Sequence, residues 1–274
     1  MTQLTIRRLL IDLETPVPAR WLGGDAFKSA WFNAMSMSFP TGEQYFIDSV
    51  RNGLKKLPPE LQEKFATEVQ GFIGQEATHR RIHDLFNAHL ERQGYTNWID
   101  ARAKKRIAQN AHYDHRLHLA ATAATEHFTA VFADWTHRHP EVLAGAEPRL
   151  QTLWMWHAAE ESEHRSTAFD LYVAAGGNHK WRLRTYRYIT VMFLSDVAWQ
   201  TVRNLHHDGA LFKRGTWVSA ARFLFGKTGI VRSNVAAWRA YFSPNFHPSQ
   251  QDAALSAQWL HDHADQYALV GQKG

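Results

Sequence analysis

Residues 154–170 read WMWHAAEESEHRSTAFD and place His157, Glu160, Glu161, Glu163 and His164 within about two helical turns. At about 100° per residue, with His157 at zero, Glu161 falls near +40° and His164 near −20°. All three share one narrow stripe. Glu160, near about −60°, lies at its border, and Glu163 turns toward solvent. The flanking Trp154, Trp156 and Phe169 make the stripe otherwise apolar. A carboxylate between two imidazoles is costly to bury there unless something holds it, and a metal ion does so. Both the angle and the Glu-x-x-His spacing select Glu161 over Glu160 as the ligand.

The chain has 274 residues, room for a sizeable core, and no cysteine. Thiolate metal sites, iron–sulfur clusters, cysteine nucleophiles and disulfides are therefore excluded. Any metal must use imidazole and carboxylate, which suits Fe, Mn or Zn, and histidine is abundant at 17. The lack of cysteine and of a signal-peptide pattern at the N-terminus fits a cytoplasmic protein. Net charge is +5, but the excess is local. Residues 179–239 carry eleven Lys/Arg against Asp196 and Asp208, so the remainder is net acidic.

Outward from the opening stretch, the pattern is helical almost throughout. Residues 1–24 read as an extended arm, broken by Pro16, Pro18 and the Gly23-Gly24 pair. A helix over 25–53 holds Pro40, which predicts a kink or break there. The second starts at Pro58-Pro59 and runs to Gly94. The third, capped by Asn97, reaches 139–140 and breaks near 112–114. The fourth covers 147–175 and ends at Gly176-Gly177. Further helices are expected over 179–207, 215–225, 231–242 and 250–268, with no strand after residue 20. The expected architecture is all-α: an N-terminal arm (1–24), a four-helix metal-binding core (25–177) and a helical basic, aromatic extension (178–274) packed on the core.

Two Glu-x-x-His pairs occur, Glu76–His79 and Glu161–His164, each on an apolar stripe of its helix. Two isolated glutamates lie on the apolar stripes of the other two helices. Glu43 shares a face with Phe32, Phe46, Ile47 and Val50, and Glu126 with Leu119, Ala130 and Ala133. Taken singly, each also reads as a pocket acid or half of a buried ion pair. Taken in order, one set per helix, they follow the ligand plan of dinuclear carboxylate bundles. Four carboxylates nearly neutralise two divalent cations in a low-dielectric core. His157 reads as a further ligand or as an outer hydrogen-bond donor. Glu160 can orient a ligand histidine across the bundle, and His83 reads as an outer or pocket residue. His112, His115 and His118 lie at helical spacing and read as a polar face, with a second metal cluster, or a channel role for His115 and His118, as the sharper alternatives.

The segments FPTGEQYF (39–46), GQEATHRRIHDLFN (74–87), the lone Glu126 and WHAAEESEHRSTAFDLY (156–172) resemble a ferritin-like family of predicted metal-dependent hydrolases. The resemblance covers roughly residues 20–250. It implies a ferritin-like four-helix bundle with a dinuclear carboxylate metal site. The set more distantly resembles the 4-aminobenzoate N-oxygenase family, which carries a third histidine four residues before the glutamate of its last Glu-x-x-His. His157 holds that position here. This resemblance implies Glu43 and His79 on one iron, Glu126, His164 and His157 on the other, and Glu76 and Glu161 bridging.

The leading expectation is a non-haem di-iron oxygenase. Two Fe ions, with Mn/Fe or Zn as alternatives, would activate O2 as co-substrate to oxidise a small organic molecule. Glu76, Glu161 and His157 would carry the chemistry, and an external electron donor would be needed. The alternative is a metal-dependent hydrolase whose dinuclear site generates hydroxide. A third reading is a non-catalytic ferritin-type metal protein. No nucleic-acid-binding fold is legible. The basic aromatic extension suits peripheral membrane or lipid contact, and a homodimer is compatible with the chain.

Overall fold

The computed structural model describes residues 4–271, so the outermost residues of the expected arm and extension, 1–3 and 272–274, lie outside it. The arm carries strand β1 (Arg7–Leu9). The long helices α1 (Ala26–Lys55) and α2 (Pro59–Arg92) follow and pack along each other. Then come α3 (Trp98–Asn110), α4 (His115–Arg138), α5 (Pro148–His164) and α6 (Thr167–Ala174). The C-terminal part comprises α7 (His179–His207), α8 (Arg214–Phe225), α9 (Ile230–Ala240), α10 (Ala254–Asp262) and strand β2 (Tyr267–Leu269). The chain is mostly helical. Side-chain caps start several helices where the sequence places them: Asp25 accepts from Lys28 N, Asn97 from Asp100 N and Asn178 from Trp181 N. No helix of the described residues is long and apolar enough to cross a membrane.

Four local expectations need correction. Pro40 does not break its helix, since α1 is continuous through it. Proline leaves the carbonyl four residues back, that of Ser36, without its helical donor. Asn87 Nδ2 on α2 donates to that oxygen at 3.0 Å, so the carbonyl is not left without a donor. The expected fourth helix is split, with α5 ending at His164 and α6 starting at Thr167. Arg165 Nη1 donates to the Ser162 carbonyl at 2.6 Å, and its other nitrogens reach the carbonyls of Pro248 and Gln251. A guanidinium thus takes over an acceptor that a backbone N–H in the next turn would use. The last helix is shorter than expected, and β2 follows it and pairs antiparallel with β1, Arg8 opposite Ala268. That strand exists through a partner at the far end of the chain, which no local pattern reports.

The apolar interior forms two clusters, and both draw on late helices. One joins Phe32, Phe86, Trp154 and Trp156 to Leu205 and Phe223. The other joins Val50, Phe72 and Leu119 to Tyr186 and Tyr241. Helix α7 lies along α1 and α4, and α10 lies against α5. The outer face of α7 leaves Tyr188, Val191, Leu194 and Trp199 exposed. Helices α1, α2, α4 and α5 hold every acid and imidazole of the constellation read from the sequence.

Candidate metal centre

Helix α1 contributes Glu43, α2 contributes Glu76 and His79, α4 contributes Glu126, and α5 contributes His157, Glu161 and His164. None is more than 4% exposed. Glu161 sits in the middle. Its Oε1 lies 2.9 Å from His157 Nε2 and 3.5 Å from His79 Nδ1, and its Oε2 lies 3.6 Å from His164 Nε2. His164 Nε2 is also 3.0 Å from Glu76 Oε1 and 3.3 Å from Glu126 Oε2. Glu43 Oε1 comes within 3.8 Å of His157 Nε2. Glu76, His79, Glu161 and His164 offer ligand atoms within 4.8 Å of one another, as do Glu43, His83 and His157.

The structure pairs these residues differently from the partition that the oxygenase resemblance implied. His157 lies beside Glu43, with its ring 4.2 Å from that of His79, while Glu126 approaches His164. The roughly two turns that separate His157 from His164 along α5 carry them to opposite sides of Glu161.

Each of these imidazoles has one nitrogen held from outside the cluster. Gln75 Nε2 donates to Thr5 O and to Glu163, so its Oε1 is the acceptor for His164 Nδ1–H at 2.9 Å. That leaves His164 Nε2 pointing at the carboxylates. His79 Nε2 donates to Glu160 Oε2 at 2.9 Å, leaving Nδ1 inward. For His157 the chain is longer. Asn87 donates its amide to Ser36 O, so its Oδ1 accepts the Ser36 hydroxyl at 2.8 Å. Ser36 Oγ then accepts from His83 Nδ1–H at 2.8 Å, and His83 Nε2 accepts from His157 Nδ1–H at 2.7 Å. His157 Nε2 therefore presents a lone pair toward Glu161. Metal-binding histidines are oriented in this way, by a partner on the other ring nitrogen. His83 stands close to the cluster, but both its nitrogens are engaged by Ser36 and His157.

Glu160 is drawn away from the middle by Arg7, whose guanidinium contacts Glu160 at 3.0 Å and Glu163 at 2.7 Å. The N-terminal arm thus reaches the back of the site. Arg7, Gln75, Ser36 and Asn87 escaped the sequence reading. Arg7 carries no local signal. Gln75, beside Glu76, and Asn87, one turn beyond His83, were findable only as polar residues on an apolar stripe. His118 is not in the cluster; its Nδ1 meets Tyr45 Oη at 2.9 Å. His115 faces Asp114, and the His112 ring lies tilted against Tyr113 near the surface.

The electrostatics are those of excess negative charge in a dry interior. Burial and the neighbouring Glu76 push Glu43 well above the usual carboxylate range, and burial, against His164, holds Glu126 up at about 8. Burial pulls His79 down, but the Glu160 carboxylate bonded to its Nε2 and the nearby carboxylates of Glu161 and Glu76 outweigh it and raise it to about 10. Burial and the nearby His79 lower His157 to about 4, and burial drives His83 well below the usual imidazole value. Both carboxylate oxygens of Glu43, Glu76 and Glu126 are buried without a hydrogen-bond partner, as are Glu161 Oε2, His79 Nδ1 and His164 Nε2. Orphaned polar atoms are rare in a folded interior. Here they converge, and all are of the type that ligates a divalent cation. The residues present fit a metal.

Residues 5–252 match the family described as "Predicted metal-dependent hydrolase", and the chain belongs to that family. No curated protein and no solved structure matches it. The family overturns the leading expectation of an oxygenase. The hydrolase alternative, which needs neither O2 nor an electron donor, stands in its place.

Proposed function

We propose, from membership of this metal-dependent hydrolase family, that the buried cluster is the hydrolytic centre of the protein. The observation that carries this is His157 Nε2 facing Glu161 Oε1 at 2.9 Å. With His157 neutral and its only proton on Nδ1, a lone pair and a carboxylate repel at that distance unless a cation joins them. In this reading Glu76, His79, Glu126, Glu161 and His164 form one part of the ligand set, and Glu43 and His157 the other. Helices α1, α2, α4 and α5 are then the ferritin-like bundle expected from the sequence, with the site at its centre. A bound divalent cation supplies Lewis acidity and lowers the pKa of water, making a nucleophile at neutral pH.

The chain's own residues set the geometry. Gln75 and Glu160 hold His164 and His79 by their outer nitrogens. The Asn87–Ser36–His83 series fixes the tautomer of His157. Arg7 keeps Glu160 turned toward His79. Phe39, with its ring 4.7 Å from His83 and 4.8 Å from His157, limits water on that side. The test is metal analysis of the purified protein, then assay of p-nitrophenyl ester and phosphodiester panels with Zn, Mn and Fe(II). Turnover should be lost with chelator, restored by one of these metals, and absent in Glu161→Gln. A metal-replete protein that cleaves none of the panel, or a Glu161→Gln variant with full rate, refutes the proposal.

A further inference from the structure

A cavity of about 650 Å³ lies between α1, α3, α4 and α7. That is the size of a small-molecule site. Its floor is made by Phe39 and Gly42 of α1 and by Thr129 of α4. These residues flank Glu43 and Glu126, and Phe39 touches the rings of His83 and His157. One aromatic ring therefore forms both a wall of the cavity and a wall of the metal centre. The sides are apolar, with Phe46, Ile107 and Met192. At the outer end Trp181 and Tyr188 are about half exposed, and Arg184 stands among them at the surface. Asp196, the acid on the cavity wall, is taken by Arg102 and Arg106 at 2.8 Å each. The balance of charge at the mouth is thus cationic.

We propose that this cavity is the substrate chamber of the metal centre and that it takes an amphiphile. The elongated apolar body fills the chamber, an anionic end group meets Arg184, and the bond to be cleaved lies against the floor. The cleavage rests on the hydrolase reading above; the binding does not. For an ester, water oxygen joins the acyl carbon and the alkoxy oxygen leaves with one proton. The other proton is released from the acid formed.

Two measurements separate binding from cleavage. Fluorescence titration of the purified protein with 11-(dansylamino)undecanoate should show saturable, blue-shifted binding. Filling the chamber from two different walls, with Ala121→Trp and with Ile107→Trp, should each weaken it by about 10-fold or more. Arg184→Glu should weaken the carboxylate probe several-fold and leave its methyl ester unaffected. With the metal-loaded enzyme, p-nitrophenyl decanoate should be preferred to the acetate, and the two filling variants should lose that preference while still cleaving acetate. Probe binding that is unchanged in both folded filling variants overturns the chamber, even if esters are cleaved. Probe binding that behaves as stated, with no ester cleaved under any metal, leaves the chamber standing and refutes the hydrolase reading instead.

Discussion

His83 Nε2 accepts a hydrogen bond from His157 Nδ1–H at 2.7 Å, and this contact determines which nitrogen of His157 meets the carboxylates. The two rings come from different helices, and His83 is itself oriented by Ser36 on a third. His83→Phe should therefore keep the fold but loosen the orientation of His157. Metal affinity should fall by about 10–100-fold, as for other outer partners of ligand histidines. Competition against a chromophoric chelator measures this, and unchanged affinity would show that His157 needs no such partner.

Arg7 anchors the arm to the back of the site. Arg7→Ala leaves Glu160, wholly buried, with a charge that only His79 answers. The expected loss is about 3 kcal/mol in urea unfolding, the low end for breaking a buried pair. A loss below about 1 kcal/mol would mean that Glu160 is neutral in the folded protein.

Asn87 and Pro40 form a compensating pair through the Ser36 carbonyl. Asn87→Ala should cost about 1–3 kcal/mol, because it strands that oxygen and the Ser36 hydroxyl. Pro40→Ala returns a backbone N–H to the carbonyl. In the double variant the cost of Asn87→Ala should shrink measurably, and strict additivity would exclude the coupling.

His137 gives the stability a pH dependence apart from the metal centre. Burial lowers it to about 4, so it is neutral in the folded protein below the pH at which the unfolded chain takes up a proton, near 6.5. Its folded pKa is depressed and its charged form is the protonated one. Its contribution is therefore complete above about pH 6.5 and is lost as pH falls toward about 4, by at most about 1.4 kcal/mol per pH unit. His137→Phe should flatten the stability profile over that interval. An identical slope in the variant would assign the acid sensitivity to other groups.

The helical register carried most of what could be read in advance. The stripe at 157, 161 and 164, the pair at 76 and 79, and the lone acids at 43 and 126 all follow from a period of about 3.6 residues, and all seven side chains meet in the interior. The span of α7 was legible to the residue, because Asn178 caps its start and Gly209 follows its end. What was misread depended on distant partners. Pro40 leaves α1 unbroken, and Asn87 meets the carbonyl that it strands. The fourth helix divides because Arg165 turns back on Ser162. The C-terminal residues become a strand because β1 is there to pair with.

The sequence alone determined that the chain is helical, that four of its helices carry acid on their buried faces and two of these imidazole as well, and that cysteine has no part in its chemistry. These are local properties, set by periodicity and composition. The tertiary structure decided which nitrogen of each histidine faces inward, that His157 stands with Glu43 and not with Glu126, and that Arg7 closes the site from behind. His83 and His157 are 74 residues apart and His79 and Glu160 are 81 apart. Contacts at such separation come from the packing of whole helices against one another, and no window along a single helix contains them.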